Sequence, residues 1–220
     1  YSFWLAHMHS RLGDQRRASD NAARAIEAAT QASDEETLGK AHGLLVLEGH
    51  WSGNTADGIS HGRKSLDLLR AHPRQRWWLG MTHFYLAMNH LVQGDFEAAL
   101  AEAHRADAVG KEIGDPRLQT YAAFADGWVE ATRGNDAAAV AACQRSREQA
   151  PDRVSRAYAS MVLGFALIRQ GDHAQARTIL EPVVAELEGF AFPQWHGFAA
   201  ALTAETYRLD ARLDDARTLV

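Results

Sequence analysis

Leu163-Gly164-Phe165-Ala166-Leu167-Ile168-Arg169-Gln170-Gly171-Asp172-His173-Ala174-Gln175-Ala176 decides the fold, because its small residues and its Gly-Asp pair recur along the whole chain. A glycine followed by Asp or Asn, with a small residue five places on, occurs as Gly13-Asp14 with Ala18, Gly53-Asn54 with Gly58, Gly94-Asp95 with Ala99, Gly134-Asn135 with Ala139 and Gly171-Asp172 with Ala176. A degenerate sixth copy puts Ala211 in the glycine's place and Ala216 at the small position. Seven places before each turn stands Ala6, Val46, Ala87, Gly127, Gly164 or Ala204. Successive turns lie 40, 41, 40, 37 and 40 residues apart.

Two linked small positions in each period imply two antiparallel helices whose backbones cross closely, since a large side chain at either place would hold them apart. The glycine is expected to end the first helix in a left-handed conformation, and the following Asp or Asn to cap the second. One helical hairpin per period of about 40 residues predicts an all-α solenoid of about five and a half to six repeats. Helices are expected near 1–12, 14–31, 35–52, 55–71, 75–93, 96–113, 117–133, 136–149, 153–170, 173–188, 194–209 and 212–220. Asp115-Pro116 reads as a cap followed by a first-turn proline, and Ser33-Asp34-Glu35-Glu36 as a cap with an acidic first turn. Pro73, Pro151 and Pro193 fall between helices, whereas Pro182 lies inside the tenth and is expected to bend or split it after Glu181. With no compositional linker, residues 1–220 are expected to form a single repeat domain.

Composition agrees with this reading. Ala, Leu, Glu, Gln and Arg dominate and only 5 residues are proline, which favours helix. Runs such as Leu44-Leu45-Val46-Leu47 sit inside longer helical patterns. The formal charge of -5 comes from 28 acidic and 23 basic residues without a block of one sign, and pairs such as Arg16-Arg17 or Arg63-Lys64 are too isolated for a nucleic-acid stripe. Cys143 is the only cysteine, so packing rather than a disulfide must hold the fold, as suits a reducing, cytoplasmic setting. No apolar run approaches the roughly 18 residues of a membrane span, so no membrane contact is expected. Both ends fall inside helical patterns, and the chain reads as a fragment of a longer protein.

The stretch from Tyr158 to Arg177 resembles the tetratricopeptide repeat family. The family's Leu-Gly pair falls on Leu163-Gly164, its inter-helix Gly-Asp on Gly171-Asp172 and its second-helix small residue on Ala176; in the third copy Leu86-Ala87, Gly94-Asp95, Ala99 and Ala106 hold these places. Two departures stand out. The period exceeds the family's usual length of about 34, and the second copy carries Gly49, Gly58 and Gly62 where bulkier residues would be favoured. The chain is similar in style to long-period arrays in bacterial signalling and regulatory proteins. The resemblance implies a right-handed superhelix whose first helices line a concave side, at places 13, 10, 6 and 3 before each turn. Those places hold Met81, Phe84, Met88 and Leu91 in the third copy, Tyr121, Phe124, Trp128 and Ala131 in the fourth, and Tyr158, Met161, Phe165 and Ile168 in the fifth. Phe84, Phe124, Trp128 and Phe165 are expected to form an anchor row for an apolar helix or extended segment.

Other chemistry finds little support. His7 and His9 do not share a helix face, and His83 and His90 lie two turns apart, roughly 10 Å along the axis, too far to share one metal ion. His42 and His83 hold equivalent repeat positions and are expected to stack between hairpins. Cys143 falls at an inward place of the eighth helix, as a small buried hydrophobe. Adjacent carboxylates such as Glu35-Glu36 and Asp214-Asp215 point apart, and no phosphate-binding glycine loop follows a strand. No catalytic residue, cofactor or metal site is therefore expected. The expected function is a protein- or peptide-binding scaffold within a larger bacterial signalling or regulatory protein. Its partner would be another protein, a peptide or a further domain of the same parent chain, with no direct nucleic-acid contact, and exposed solenoid ends would permit self-association. The alternative is a repeat domain that senses a small ligand, and a third reading is a helical hydrolase or transferase.

Overall fold

The computed structural model describes residues 1–189 and 193–219. Among them run twelve α-helices: α1 (Ser2–Arg11), α2 (Gln15–Ala32), α3 (Glu35–Ser52), α4 (Thr55–Arg70), α5 (Arg76–Gln93), α6 (Phe96–Ile113), α7 (Pro116–Arg133), α8 (Asp136–Gln149), α9 (Arg153–Gln170), α10 (His173–Glu188), α11 (Pro193–Leu209) and α12 (Leu213–Arg217). They pair in antiparallel fashion into about six repeats of a helical solenoid. A single 3-10 turn over Pro73–Gln75 leads into α5. The expected last helix is shorter than its pattern, and Val220 lies outside the described residues. Pro193 opens α11 rather than preceding it.

Backbone bonds explain why the turns repeat. Gly94 and Gly171 take φ of 76° and 83°, which lets the next amide fold back onto the helix: Asp95 donates to the His90 carbonyl and Asp172 to that of Leu167, both at 3.0 Å. Ala211 adopts the same left-handed geometry at φ 59°, a conformation that usually selects glycine, so the degenerate copy keeps its turn at some cost. The aspartates then cap: Asp14, Asp95 and Asp172 each accept the amide three residues on, as do Asp34, Asp115 and Asp152 at the other helix starts. Asn54 and Asn135 do not. Their side-chain amides donate instead to Asp57 and Glu130, each at 2.6 Å, so the expected asparagine caps are corrected to side-chain pairs. In the second copy Ser52 carries the turn, accepting from the Asn54 amide and donating to the Gly49 carbonyl.

The chain divides into two compact units, 1–125 and 126–220. In the first, Phe3, Ala6, Ala22, Ala25, Ala41 and Leu44 form a buried cluster from α1, α2 and α3, with Ile26, Leu45 and Trp78 packed against it. The glycine-rich second copy, which looked poor by sequence, is where helices approach most closely. A Cβ on Gly49 would stand 2.7 Å from the Gly58 Cα, one on Gly58 would meet Asn89 Oδ1 at 2.7 Å, and one on Gly62 would collide with Leu86. In the second unit Ala157, Met161, Val183, Leu187 and Ala199 make the core of α9, α10 and α11. These contacts also explain α10. It runs unbroken through Pro182, contrary to the expected split, because Leu180, Val183 and Leu187 are buried on either side while the proline faces outward.

All six positions seven places before the turns are buried, as are Ala18, Gly58, Ala99, Ala139 and Ala176; Ala216, on the short α12, is half-buried. At Gly164 a Cβ would sit 2.5 Å from Leu180 Cγ, so Gly164→Leu should lower stability by about 1–3 kcal/mol in urea melts. Gly197 in α11 has nothing within 4 Å of such an atom, and Gly197→Ala should raise stability by about 0.5–1 kcal/mol. Equal melts for both variants would disprove the close crossing.

Candidate functional site

In the first unit the side chains expected to line a groove are mostly interior. Met81, Phe84 and Met88 are buried, and Phe124 is only 1% exposed. Phe84 packs on Phe124 at 6.0 Å between ring centroids and stacks on half-buried Tyr121 at 5.4 Å. Phe84 and Phe124 are therefore core residues of α5 and α7 rather than exposed anchors. The two rings cover each other, with Tyr121 laid over Phe84. Elsewhere in the unit Trp78, sixteen places before its turn, packs edge-on against Phe3 and His7 of α1 at 5.2 and 5.6 Å.

The second unit differs. Trp128, Tyr158, Phe165 and Ile168 are half-buried, with Met161 wholly buried beneath them. Trp128 of α7 stacks on Phe198 of α11 at 4.9 Å and 22°, and lies 6.1 Å from Phe165 of α9. Tyr158 packs on Trp195 at 4.7 Å. Five rings from three helices thus form one ledge that is apolar, partly wet and held by a packed core. Phe198 and Trp195 were absent from the sequence expectation, although Phe198 lies thirteen places before Ala211 and Trp195 repeats the place of Trp78.

The histidines do not stack between hairpins as expected. His42 meets His61 of its own hairpin, with Nδ1 atoms 2.8 Å apart and ring planes 29° apart. A centroid separation of 5.0 Å means that the two nitrogens point at each other, so one imidazole donates and the other accepts. A tetrahedral metal ion between them would hold the nitrogens roughly 3.3 Å apart. One period on, His83 and Glu102 occupy the same two register places and pair at 2.5 Å. Glu102 is held below the usual carboxylate range because the bonds and charge of His83 and Arg105 outweigh its burial. Burial, with Asp126 adding to it, pushes the Cys143 thiol up to about 12, so this buried cysteine is no nucleophile. No group of three or more His, Cys, Asp or Glu suited to a metal occurs among the described residues, and no helix there is long and apolar enough to cross a membrane.

Capped antiparallel pairs, small crossing residues and a period near 40 make the chain a TPR-like helical-repeat protein. The tetratricopeptide repeat family model matches residues 80–105 and 157–182, the third and fifth copies. A crystal structure of a Rap protein complexed with Competence and Sporulation Factor is similar at TM-score 0.66 and 14% identity, over 98% of this chain and 64% of that one. The chain thus spans less than two thirds of the Rap chain. Two crystal structures of nearly identical TPR-like repeats, from a Podosopora anserina protein described as a kinesin light chain, are similar at TM-scores of 0.55 and 0.54 and 15% identity, over 84% of this chain and 92% of those. No curated protein sequence matches. At such identities the likeness establishes the fold.

The histidine pair makes the first unit acid-sensitive. Burial and the neighbouring His61 hold His42 down to about 4, burial and Lys64 lower His61, and burial holds His50 down to about 4. Folded values below the ordinary 6.5 mean that this contribution is present above pH 6.5 and lost as pH falls towards about 4. His61→Asn should make stability less steep in this window, as read by urea melts at stepped pH. An unchanged slope would show that the pair does not titrate with folding.

Proposed function

We propose that the chain is a protein- or peptide-binding scaffold and that the ledge of Trp128, Phe165, Phe198, Tyr158 and Trp195 is its contact surface. The observation that carries this reading is the ledge itself: five aromatic rings left half-exposed on rigid helices, in a fold whose core is complete beneath them. Large amphipathic rings lose little freedom on binding and dominate the energetics of interfaces. A peptide with apolar or aromatic side chains at successive turns fits such a surface better than an acidic tail, because Arg153 and Arg169 at the two ends of α9 are already paired with Glu186 and Asp136. That the similar Rap structure holds a bound factor supports the same reading. Within a larger signalling protein in the cytoplasm, the partner is another protein or a further domain of the parent chain. Trp4, Met8 and Leu12 on α1 offer a second apolar surface, available for self-association.

Peptides selected on the whole chain test this directly. By calorimetry Trp128→Ala should bind them about 30-fold more weakly, roughly 2 kcal/mol, with helical circular dichroism retained. Unchanged affinity would remove the ledge from the reading.

A further inference from the structure

The shortest period of the array, the 37 residues from Gly134 to Gly171, loses its length in the second helix of the fourth copy. There α8 runs for 14 residues, against 16 or 18 for α2, α4, α6 and α10. Pro151 sets the limit. Its ring disfavours helical backbone at the residue before it, and Ala150 is accordingly extended, with ψ of 121°. Beyond this early stop the chain turns into α9, and a cleft of about 250 Å³ is lined by both helices. Gln144, Arg147 and Glu148 line it from α8, where spacings of three and four residues put them on one face, and Arg156 lines it from the start of α9. All four side chains are exposed, and among the described residues none of them makes a hydrogen bond or an ion pair. The other arginines of α9 and α10 are committed: Arg153 to Glu186, Arg169 to Asp136 and Arg177 to Asp210. Asp152, the carboxylate at the turn, accepts the Ser155 amide as the α9 cap. Two guanidiniums from different helices thus line one small space without a counter-ion from the described chain.

The number of oxygens decides which anion suits them. Each guanidinium is a planar fork satisfied by two acceptors, so a carboxylate fills one fork, whereas the three terminal oxygens of a phosphate monoester reach both. Glu148 adds a condition. Its carboxylate repels a bare anion, and a hydroxyl or amino group next to the phosphate turns that repulsion into a hydrogen bond. Volume sets a further limit, since about 250 Å³ is below the roughly 300–1,000 Å³ of pockets that enclose a drug-sized ligand. A head group fits; a whole nucleotide does not. We propose that this cleft binds a small phosphate monoester carrying a hydrogen-bond donor beside its phosphate, with Arg147 and Arg156 holding the phosphate and Glu148 selecting for the donor. The site shares no residue with the aromatic ledge and stands independently of it.

Nitrogen-15 spectra of the arginine side chains in the whole chain read the site directly, at low salt because exposed ion pairs are screened. The probe is phosphoethanolamine, which carries an ammonium group close to its phosphate. At low millimolar concentration it should shift the Arg147 and Arg156 signals saturably. Arg147→Gln or Arg156→Gln should weaken it about tenfold, with helical circular dichroism unchanged. Glu148→Gln separates selection from plain charge: it should weaken phosphoethanolamine and tighten inorganic phosphate. A phosphoserine peptide binding more tightly than phosphoethanolamine supports the site and makes a modified protein segment its source; the reverse order supports it with a free ester as the source. Arg145, exposed on α8 outside the cleft, is the control. No saturable shift, an equal loss on Arg145→Gln, acetate competing as well as phosphate, or Glu148→Gln moving both probes the same way overturns the proposal.

Discussion

In each hairpin the two helices can cross closely only where at least one of them carries a small side chain or none, and this contact fixes the rest of the array. Gly164 against Leu180 and Gly127 against Cys143 are two solutions to the same geometry: a missing Cβ on one helix is filled by a side chain from the other. Because Gly164 and Gly127 stand seven residues before their turns and Leu180 and Cys143 nine after them, the turn must return the chain at a fixed length. The left-handed residue and the aspartate cap do this, so the recurrence of Gly-Asp follows from the crossing.

That dependence explains why the fold could be read from sequence and why some details could not. Small residues at two linked places are a one-dimensional trace of a backbone contact, and most helix bounds follow from the turns between them. Asn54 and Asn135 looked equivalent to the aspartates, but an asparagine side chain can also donate, and carboxylates at Asp57 and Glu130 outcompete the backbone amides for it. Pro182 was misjudged because propensity describes an isolated helix, whereas Val183 and Leu187 bind the second half of α10 to α9 and α11.

The candidate site was legible only in part. Counting back from the turns finds which side chains share a register, and Trp128 and Phe165, which share one, lie 6.1 Å apart. It cannot say how much of that face is already covered. Phe84 and Phe124 come from neighbouring hairpins and cover each other, a contact that no single repeat encodes, and both are buried. Exposure depends on side chains outside the motif, so it differs between copies that the motif makes alike.

One register place shows how the scaffold divides its work. Five residues before the turn the six copies hold Met8, Glu48, Asn89, Val129, Ala166 and Thr206. From Glu48 to Thr206 all are buried, so the place is a structural contact in five of the six copies. In the first unit it is polar: Asn89 donates to the Val46 and Tyr85 carbonyls, and Glu48 is a buried carboxylate. Val129 and Ala166 make it apolar in the second unit, until Thr206 receives Arg177. A buried polar contact demands specific partners, and loses more than an apolar one when they separate. At this place the first unit therefore depends on polar side chains, while the second, at Val129 and Ala166, depends on apolar packing and leaves the rings of Trp128, Phe165 and Phe198 partly exposed.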